Sequence, residues 1–180
     1  MTLHIETERL ILRELLETDI DGMFELDSNE KVHEFLGKKP IKTKEDALTN
    51  ILFIRDQYKK FKIGRFACIE KSSGDFIGWS GLKFNTGEKE ALNGCTNFID
   101  IGYRFIPKYW GKGYGYESAI TCLKFGFEQM NYNTIYAAAD IENIGSNKIL
   151  RKIGLQFVNE FKYDKVKINW YKLNKADYGI

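Results

Sequence analysis

Histidine, proline and cysteine are all scarce in this 180-residue chain, which holds two, two and three of them. Each scarcity excludes something. His4 and His33 stand apart in no recognisable motif, and no cluster has metal-ligand spacing, so no metal is expected. Nothing suggests a Cys–His pairing, which removes cysteine nucleophilic catalysis. Cys68, Cys95 and Cys122 are odd in number, widely spaced and without a CxxC pair, as free thiols in a reducing compartment are. No apolar run approaches the length of a membrane span, and the opening "MTLHIETERLILREL" lacks a signal peptide's apolar core. A cytoplasmic protein with no membrane partner is expected. Charge of one sign is also lacking. The 27 Lys+Arg and 25 Asp+Glu leave a formal +2, far from a basic footprint, so no direct nucleic-acid partner is expected.

What is present is an ordinary globular composition, 43% hydrophobic and 29% charged. The length suits one domain over residues 1–180, and no linker, repeat or low-complexity segment interrupts it. "RLILREL" (residues 9–15) suits a strand, and Thr18 reads as the cap of a first helix carrying Ile20, Met23, Phe24 and Leu26. A second helix starts at Thr43, with Asp46 three residues on as a loose capping box. Its apolar positions Ala47, Leu48, Ile51, Ile54 and Tyr58 keep the helical period.

After Gly64 the period becomes two. "RFACIEK", "SSGD" and "FIGWSGLKF" predict a hairpin, and "TNFIDIGYRFI" (residues 96–106) a further strand closed by Pro107. A helix follows with Tyr116, Ala119, Ile120, Leu123, Phe127 and Met130 on one stripe. Then come the strand "TIYAAAD", the short helix "NIGSNKILRKIG" stopped by Gly154, and a closing hairpin of "LQFVNEF" and "VKINWYKL".

Between the strand at 96–106 and the helix after it lies "YWGKGYGYESA" (residues 109–119), with glycine at 111, 113 and 115. A Walker loop needs Ser or Thr after its lysine, and Gly113 follows Lys112. A dinucleotide fingerprint needs GxGxxG early in a parallel unit, and this spacing comes late, after antiparallel strands. A general anion site fits the setting, with bare amides converging on a pyrophosphate at a helix N-terminus. A glycine-rich turn that only joins two elements is the plainer alternative.

Three stretches, in order and at proper spacing, carry a resemblance over nearly the whole chain. "TERLILREL", "DIGYRFIPKYWGKGYGYESA" and "ENIGSNKILRKIGL" resemble the opening strand, the fourth strand with its pyrophosphate loop, and the Asn-x-x-Ser helix of the GNAT N-acetyltransferases. The likeness is greatest to the ribosomal-protein N-terminal (RimJ/RimL-type) branch. It implies an α/β fold: a mixed, mostly antiparallel sheet of about seven strands flanked by about four helices, splayed between strands 4 and 5. It implies acetyl-CoA as co-substrate. Gly111, Lys112, Gly113, Tyr114 and Gly115 would cradle the pyrophosphate, glycine being needed at 113 and 115 because a Cβ would push the phosphates off the amides. Trp110, where many family members carry Arg or Gln, would pack beside the loop. Ile101, Gly102 and Tyr103 would line pantetheine along the open strand edge, unless Gly102 is only a bulge.

The acceptor implied is a primary amine, either a protein N-terminus or a small molecule. Attack needs the neutral amine. For an α-amine at pH 7 that costs about 1 kcal/mol, and for a lysine roughly 4 to 5 kcal/mol, so a modest base working through water can serve an N-terminus. Asp100 stands where the family often has a strand-four Glu and is the candidate base; otherwise it is a strand-edge charge. Leu150 replaces the tyrosine that many relatives use to protonate the leaving thiolate. The branch resemblance implies instead the Asn-x-x-Ser pair, Asn143 and Ser146, as residues that would contact acetyl-CoA, with Ser146 the candidate proton donor or partner of the sulfur; otherwise Asn143 is an N-cap and Ser146 a first-turn residue bonding the backbone. Leu150 and the shortened acid keep a second function open, a non-catalytic acyl-CoA-binding module. A homodimer is left open.

Overall fold

The computed structural model describes residues 3–179. Over those residues the chain runs β1 (His4–Glu6), β2 (Leu10–Glu14), α1 (Ile20–Asp27), α2 (Glu30–His33), α3 (Lys44–Phe61), β3 (Arg65–Glu70), β4 (Phe76–Asn85) and β5 (Phe98–Phe105). It continues through α4 (Tyr114–Lys124), β6 (Thr134–Asp140), α5 (Ile144–Lys152), β7 (Gln156–Tyr163) and β8 (Val166–Asn174). The strands form one sheet in the order β1-β2-β3-β4-β5-β6-β8-β7.

Every neighbouring pair is antiparallel except β5 and β6, which are parallel and joined through α4. A parallel pair needs such a crossover, because a tight turn cannot bring the chain back to the same end. The expected mixed sheet is therefore present, with two differences. A strand precedes "RLILREL", with Ile5 opposite Leu12, so the described residues hold eight strands. The four-residue α2 raises the helices to five.

The sheet's two faces carry different partners. Phe66, Ser80 and Leu82 face α4 and its extension: Phe66 meets Phe125 edge-on at 5.8 Å, and Ser80 Oγ lies 3.7 Å from Cys122 Sγ. The opposite face, with Trp79, Gly81 and Lys83, carries α1 and α3. There the Lys83 ammonium sits over Phe53, and Arg104 of β5 pairs with Asp27 of α1 at 2.6 Å. Leu10, Leu12, Ile51, Ile77, Leu123, Phe127 and Ile135 are buried between these layers.

Local signals explain the helix entrances, with one correction. Thr18 is not the cap. It lies inside a 3-10 turn, Glu17–Asp19, and the Asp19 carboxylate accepts the Leu16 N–H at 2.8 Å while an Arg13 fork holds it in place. The residue at the N-cap of α1 is Asp19, and the amide that its side chain takes precedes the turn rather than belonging to the helix. At α3 the capping box is complete: Thr43 Oγ1 accepts the Asp46 N–H at 3.2 Å, and Asp46 accepts the Thr43 N–H at 3.1 Å. The α4 stripe also changes character. Phe125–Gln129 widens into a π turn, with Met130 N–H bonded to Phe125 O, which re-aims Phe127 into the core.

Removing the α3 cap with Thr43→Ala is expected to lower stability by about 1 kcal/mol. For a domain of this size Tm should fall by roughly 2 to 4 °C. An unchanged melting curve would show that packing of Ala47, Ile51 and Tyr58 alone sets that helix start.

Candidate active site

The glycine loop hangs between the end of β5 and the start of α4. A 3-10 turn, Pro107–Tyr109, reverses the chain, and Gly111 and Gly113 then adopt φ +74° and +87°, where a side chain is strained. Gly113 is the residue immediately before α4, so its left-handed backbone aims the first helical turn. Side chains around the loop fasten it to the sheet. Trp110 Nε1–H donates to Phe105 O at 2.7 Å, Tyr109 O–H donates to Asp75 at 3.1 Å, and Tyr114 O–H donates to Glu70.

The strongest fastening comes from before β2. Arg9 donates Nε–H to Glu117 at 2.7 Å and its backbone N–H to the same carboxylate at 3.0 Å; Thr7 adds a hydroxyl at 2.6 Å. Arg9 Nη1 then reaches Lys112 O at 2.9 Å, and the guanidinium lies 4.4 Å from the Tyr114 ring centre. Burial pushes the Glu117 carboxyl up, but the Thr7 and Arg9 hydrogen bonds outweigh it and hold it below the ordinary carboxylate range. It is therefore charged at neutral pH, and its charge is already met by Arg9.

This cradle fits a pyrophosphate. A Cβ added at Gly111 would meet nothing within 4 Å, so the loop's outer side is open. The first intrahelical bond comes only at Glu117, on Gly113 O at 3.1 Å, which leaves earlier amides of the turn without helical partners. Such amides at a helix N-terminus attract anions. At Gly115 a Cβ would lie 2.9 Å from Ile149 Cδ1, the flexible end of a side chain on α5.

β5 and β6 share one register pair, Asp100 with Tyr136. Beyond it Ile101, Gly102 and Tyr103 pair only with β4, and their other edge is open: the strands are splayed there. Gly102 is not a bulge, since the β4–β5 ladder runs through it in unbroken register. It is a seat. A Cβ at Gly102 would come within 3.0 Å of the Arg65 guanidinium, which lies flat across β4 and β5 beside Trp79. Arg65 donates to Gly81 O at 2.5 Å and from Nη2 to both Asp100 oxygens, at 2.9 and 3.0 Å.

Asp100 and Ser146 lie on opposite faces of the splay. Asp100 faces the α1/α3 side with Arg65. Ser146, in the first turn of α5, meets Tyr103 from the other side; the Tyr103 hydroxyl is 3.1 Å from both Ser146 O and Ser146 Oγ. Asn143 caps α5, accepting the Ser146 N–H at 3.0 Å. Leu150 is packed in the core at 2% exposure. Sequence reasoning missed Arg9, Glu117 and Arg65. Each acts through a partner distant in sequence, and an isolated Arg or Glu carries no periodic signal.

A parted mixed sheet with a glycine-lined helix entrance beside the parting is the fold of an acyl-CoA-using transferase. The chain belongs to the GNAT acetyltransferases: the family described as "Acetyltransferase (GNAT) domain" matches residues 9–156. It is similar to the uncharacterized N-acetyltransferase p20 of Bacillus licheniformis, 30% identical over 179 residues, covering 96% of this chain and 97% of that protein. Its fold is that of a GNAT-family acetyltransferase from Bacillus anthracis, with TM-score 0.78 at 25% identity over 97% of this chain and 99% of that one. The fold also matches RimL, a ribosomal-protein α-N-acetyltransferase solved with coenzyme A. There the TM-score is 0.78 at 13% identity, covering 96% of this chain and 98% of that one.

Gly113→Val tests the cradle. A β-branched residue is strained at φ +87°, and its Cβ would lie 3.3 Å from Arg9 Nη2. Acetyl-CoA affinity by calorimetry should fall at least tenfold in the folded variant. Unchanged affinity would remove the loop from the binding site.

Proposed function

We propose that this acetyltransferase moves acetyl from acetyl-CoA to a primary amine by direct attack, the acceptor being a protein N-terminus or a small-molecule amine. The observation that carries this reading is the open edge of β5 after Asp100, next to a loop already fastened for a pyrophosphate. Acetyl-CoA supplies the acetyl group as a thioester. Gly111, Lys112, Gly113, Tyr114 and Gly115 hold its pyrophosphate, with Trp110 as a wall. Ile101, Gly102 and Tyr103 guide pantetheine, and Asn143 keeps the α5 entrance in shape.

Asp100 takes the amine's proton through a water. Its oxygens keep lone pairs beyond those that Arg65 uses, since Nη2 is the single nitrogen that reaches both. The same ion pair gives Asp100 a structural share, because the Arg65 side chain is only 11% exposed and needs a counter-charge. Ser146 donates a hydrogen bond to the sulfur. RimL is described as acting on a protein α-amine, which supports an N-terminal acceptor, as does the smaller deprotonation term of an α-amine.

A non-catalytic acyl-CoA-binding module is the second reading, favoured by the Arg65 hold on Asp100 and by the buried Leu150. Release of free CoA from acetyl-CoA, screened over peptide N-termini and small amines, separates the two. Turnover with any amine supports the enzyme; binding without release over the whole panel supports the module. Asp100→Asn is expected to lower turnover by about 10²-fold, the scale of general acid–base help, with acetyl-CoA affinity nearly unchanged. A wild-type rate from pH 6 to 9 would leave Asp100 as the partner of Arg65 alone.

A further inference from the structure

The two ends of the sheet are finished differently. At one end β1 has three residues, and so short a strand offers a neighbour little ladder, which blunts that edge. At the other end β7 has eight, holds no proline and is exposed along most of its length. Phe157, Val158 and Tyr163 on it are 49%, 44% and 60% exposed. A long edge of this kind is a template for a further strand.

Backbone phase decides which groups the edge offers. β7 and β8 are joined by Asp164 and Lys165, whose φ values of 44° and 69° make the two-residue turn that matches strand twist. Such a turn is closed by a hydrogen-bonded pair, here Tyr163 with Val166, and the ladder then alternates, so Phe161 with Ile168 is another. The N–H and C=O groups of Glu160 and Lys162 therefore point away from β8, into the open edge. Their side chains share one face of the strand, and both are exposed. On that face Lys162 stands directly opposite Lys167 of β8, a like-charge pair that destabilises the hairpin. Neither Glu160 nor Lys162 enters an ion pair among the described residues.

We propose that a second copy of this chain pairs antiparallel along β7, about a two-fold axis at Phe161, so that the sheet continues from one copy into the other. Charge selects this register from its neighbours. An axis at Glu160 would set that carboxylate against its own copy, and an axis at Lys162 would set two ammoniums together. An axis at Phe161 puts Glu160 opposite Lys162 of the second copy, and symmetry repeats the pair. Both residues face the edge, so each pair also exchanges N–H···O=C bonds in both directions. The incoming carboxylate offsets the Lys162–Lys167 repulsion. The Phe161 rings, each already edge-on to its own Trp170, meet across the axis at the closely spaced position. The outer ends of the assembly are then the two short β1 strands, so growth stops at the dimer.

Sedimentation equilibrium of the full chain over a range of concentrations tests the pairing, with melting curves confirming that each variant is folded. Wild type should be a monomer–dimer equilibrium with no larger species. Glu160→Lys and Lys162→Glu each turn both cross-strand pairs into like charges, and each should weaken the dimer at least tenfold. The double variant carrying both exchanges restores opposite signs and should return to within about threefold of wild type. The two single variants mixed in equal amounts should dimerise with each other, because every pair across the axis is again of opposite sign. A wild type that stays monomeric at every concentration overturns the proposal and leaves the edge to a strand of another protein. A dimer that the exchanges do not weaken, or a double variant no stronger than the single ones, overturns it as well. None of these readings depends on CoA release, so this proposal and the acetyltransferase reading stand or fall separately.

Discussion

Glu117 leans out of the first turn of α4 and gathers Thr7, the Arg9 amide and the Arg9 guanidinium onto one carboxylate. That cluster joins the corner between β1 and β2 to the helix entrance, and through Arg9 Nη1 it sets the carbonyl of Lys112. Much of the site depends on it. A free carboxylate beside a helix N-terminus would satisfy the local dipole and repel an incoming phosphate. Arg9 cancels that charge, so the amides ahead of Glu117 remain attractive to an anion. Gly113 completes the fit, because its bare Cα lets the loop lie down on the arginine.

A second guanidinium organises the opposite face. Arg65 and Arg104 flank the Trp79 ring at 5.4 and 5.1 Å, one answered by Asp100 and the other by Asp27. Charges this deep are tolerable only when paired and hydrogen-bonded, and here each guanidinium is met by a carboxylate. Gly102 leaves room for the Arg65 guanidinium on the sheet, and Gly81, where a Cβ would strike the Gly64 carbonyl oxygen and Arg65 Cα, lets the β3 backbone lie close. The result is a stiff floor on the α1/α3 side of the splay, with Asp100 at its edge. The other side of the splay is closed by Tyr103 and Ser146, so β5 presents different chemistry to its two faces through the alternation of a single strand.

What was legible in the sequence is what local patterning controls. The β3–β4 and β7–β8 hairpins, the Thr43 box and the glycine loop are written in turns, caps and period changes. The three-residue β1 is too short for a period to show, and the 3-10 turn that moves the start of α1 past Thr18 is held by an Asp19–Arg13 pair across the turn. The π turn at Phe125–Gln129 is a break in the helical period that the spacing of the stripe does not show. Asp100 and Ser146 were named as candidates through the family likeness; their partners Arg65 and Tyr103 were not assigned those contacts, because each depends on how the sheet and α5 come together. The Arg9–Glu117 contact spans 108 residues. Gly115 was read as part of the phosphate cradle, and its nearest neighbour, Ile149 of α5, becomes visible only once the helices are packed.

We propose that Arg9, through Glu117 and Lys112, holds the loop in a shape that binds acetyl-CoA. Calorimetric titration of acetyl-CoA into wild type and Arg9→Ala tests it most directly, with a melting curve confirming that both are folded. One site per chain in the wild type and an affinity at least tenfold weaker in Arg9→Ala are predicted, since the variant loses charge-assisted hydrogen bonds on both sides of the loop. Equal affinity in the two folded proteins would contradict the account.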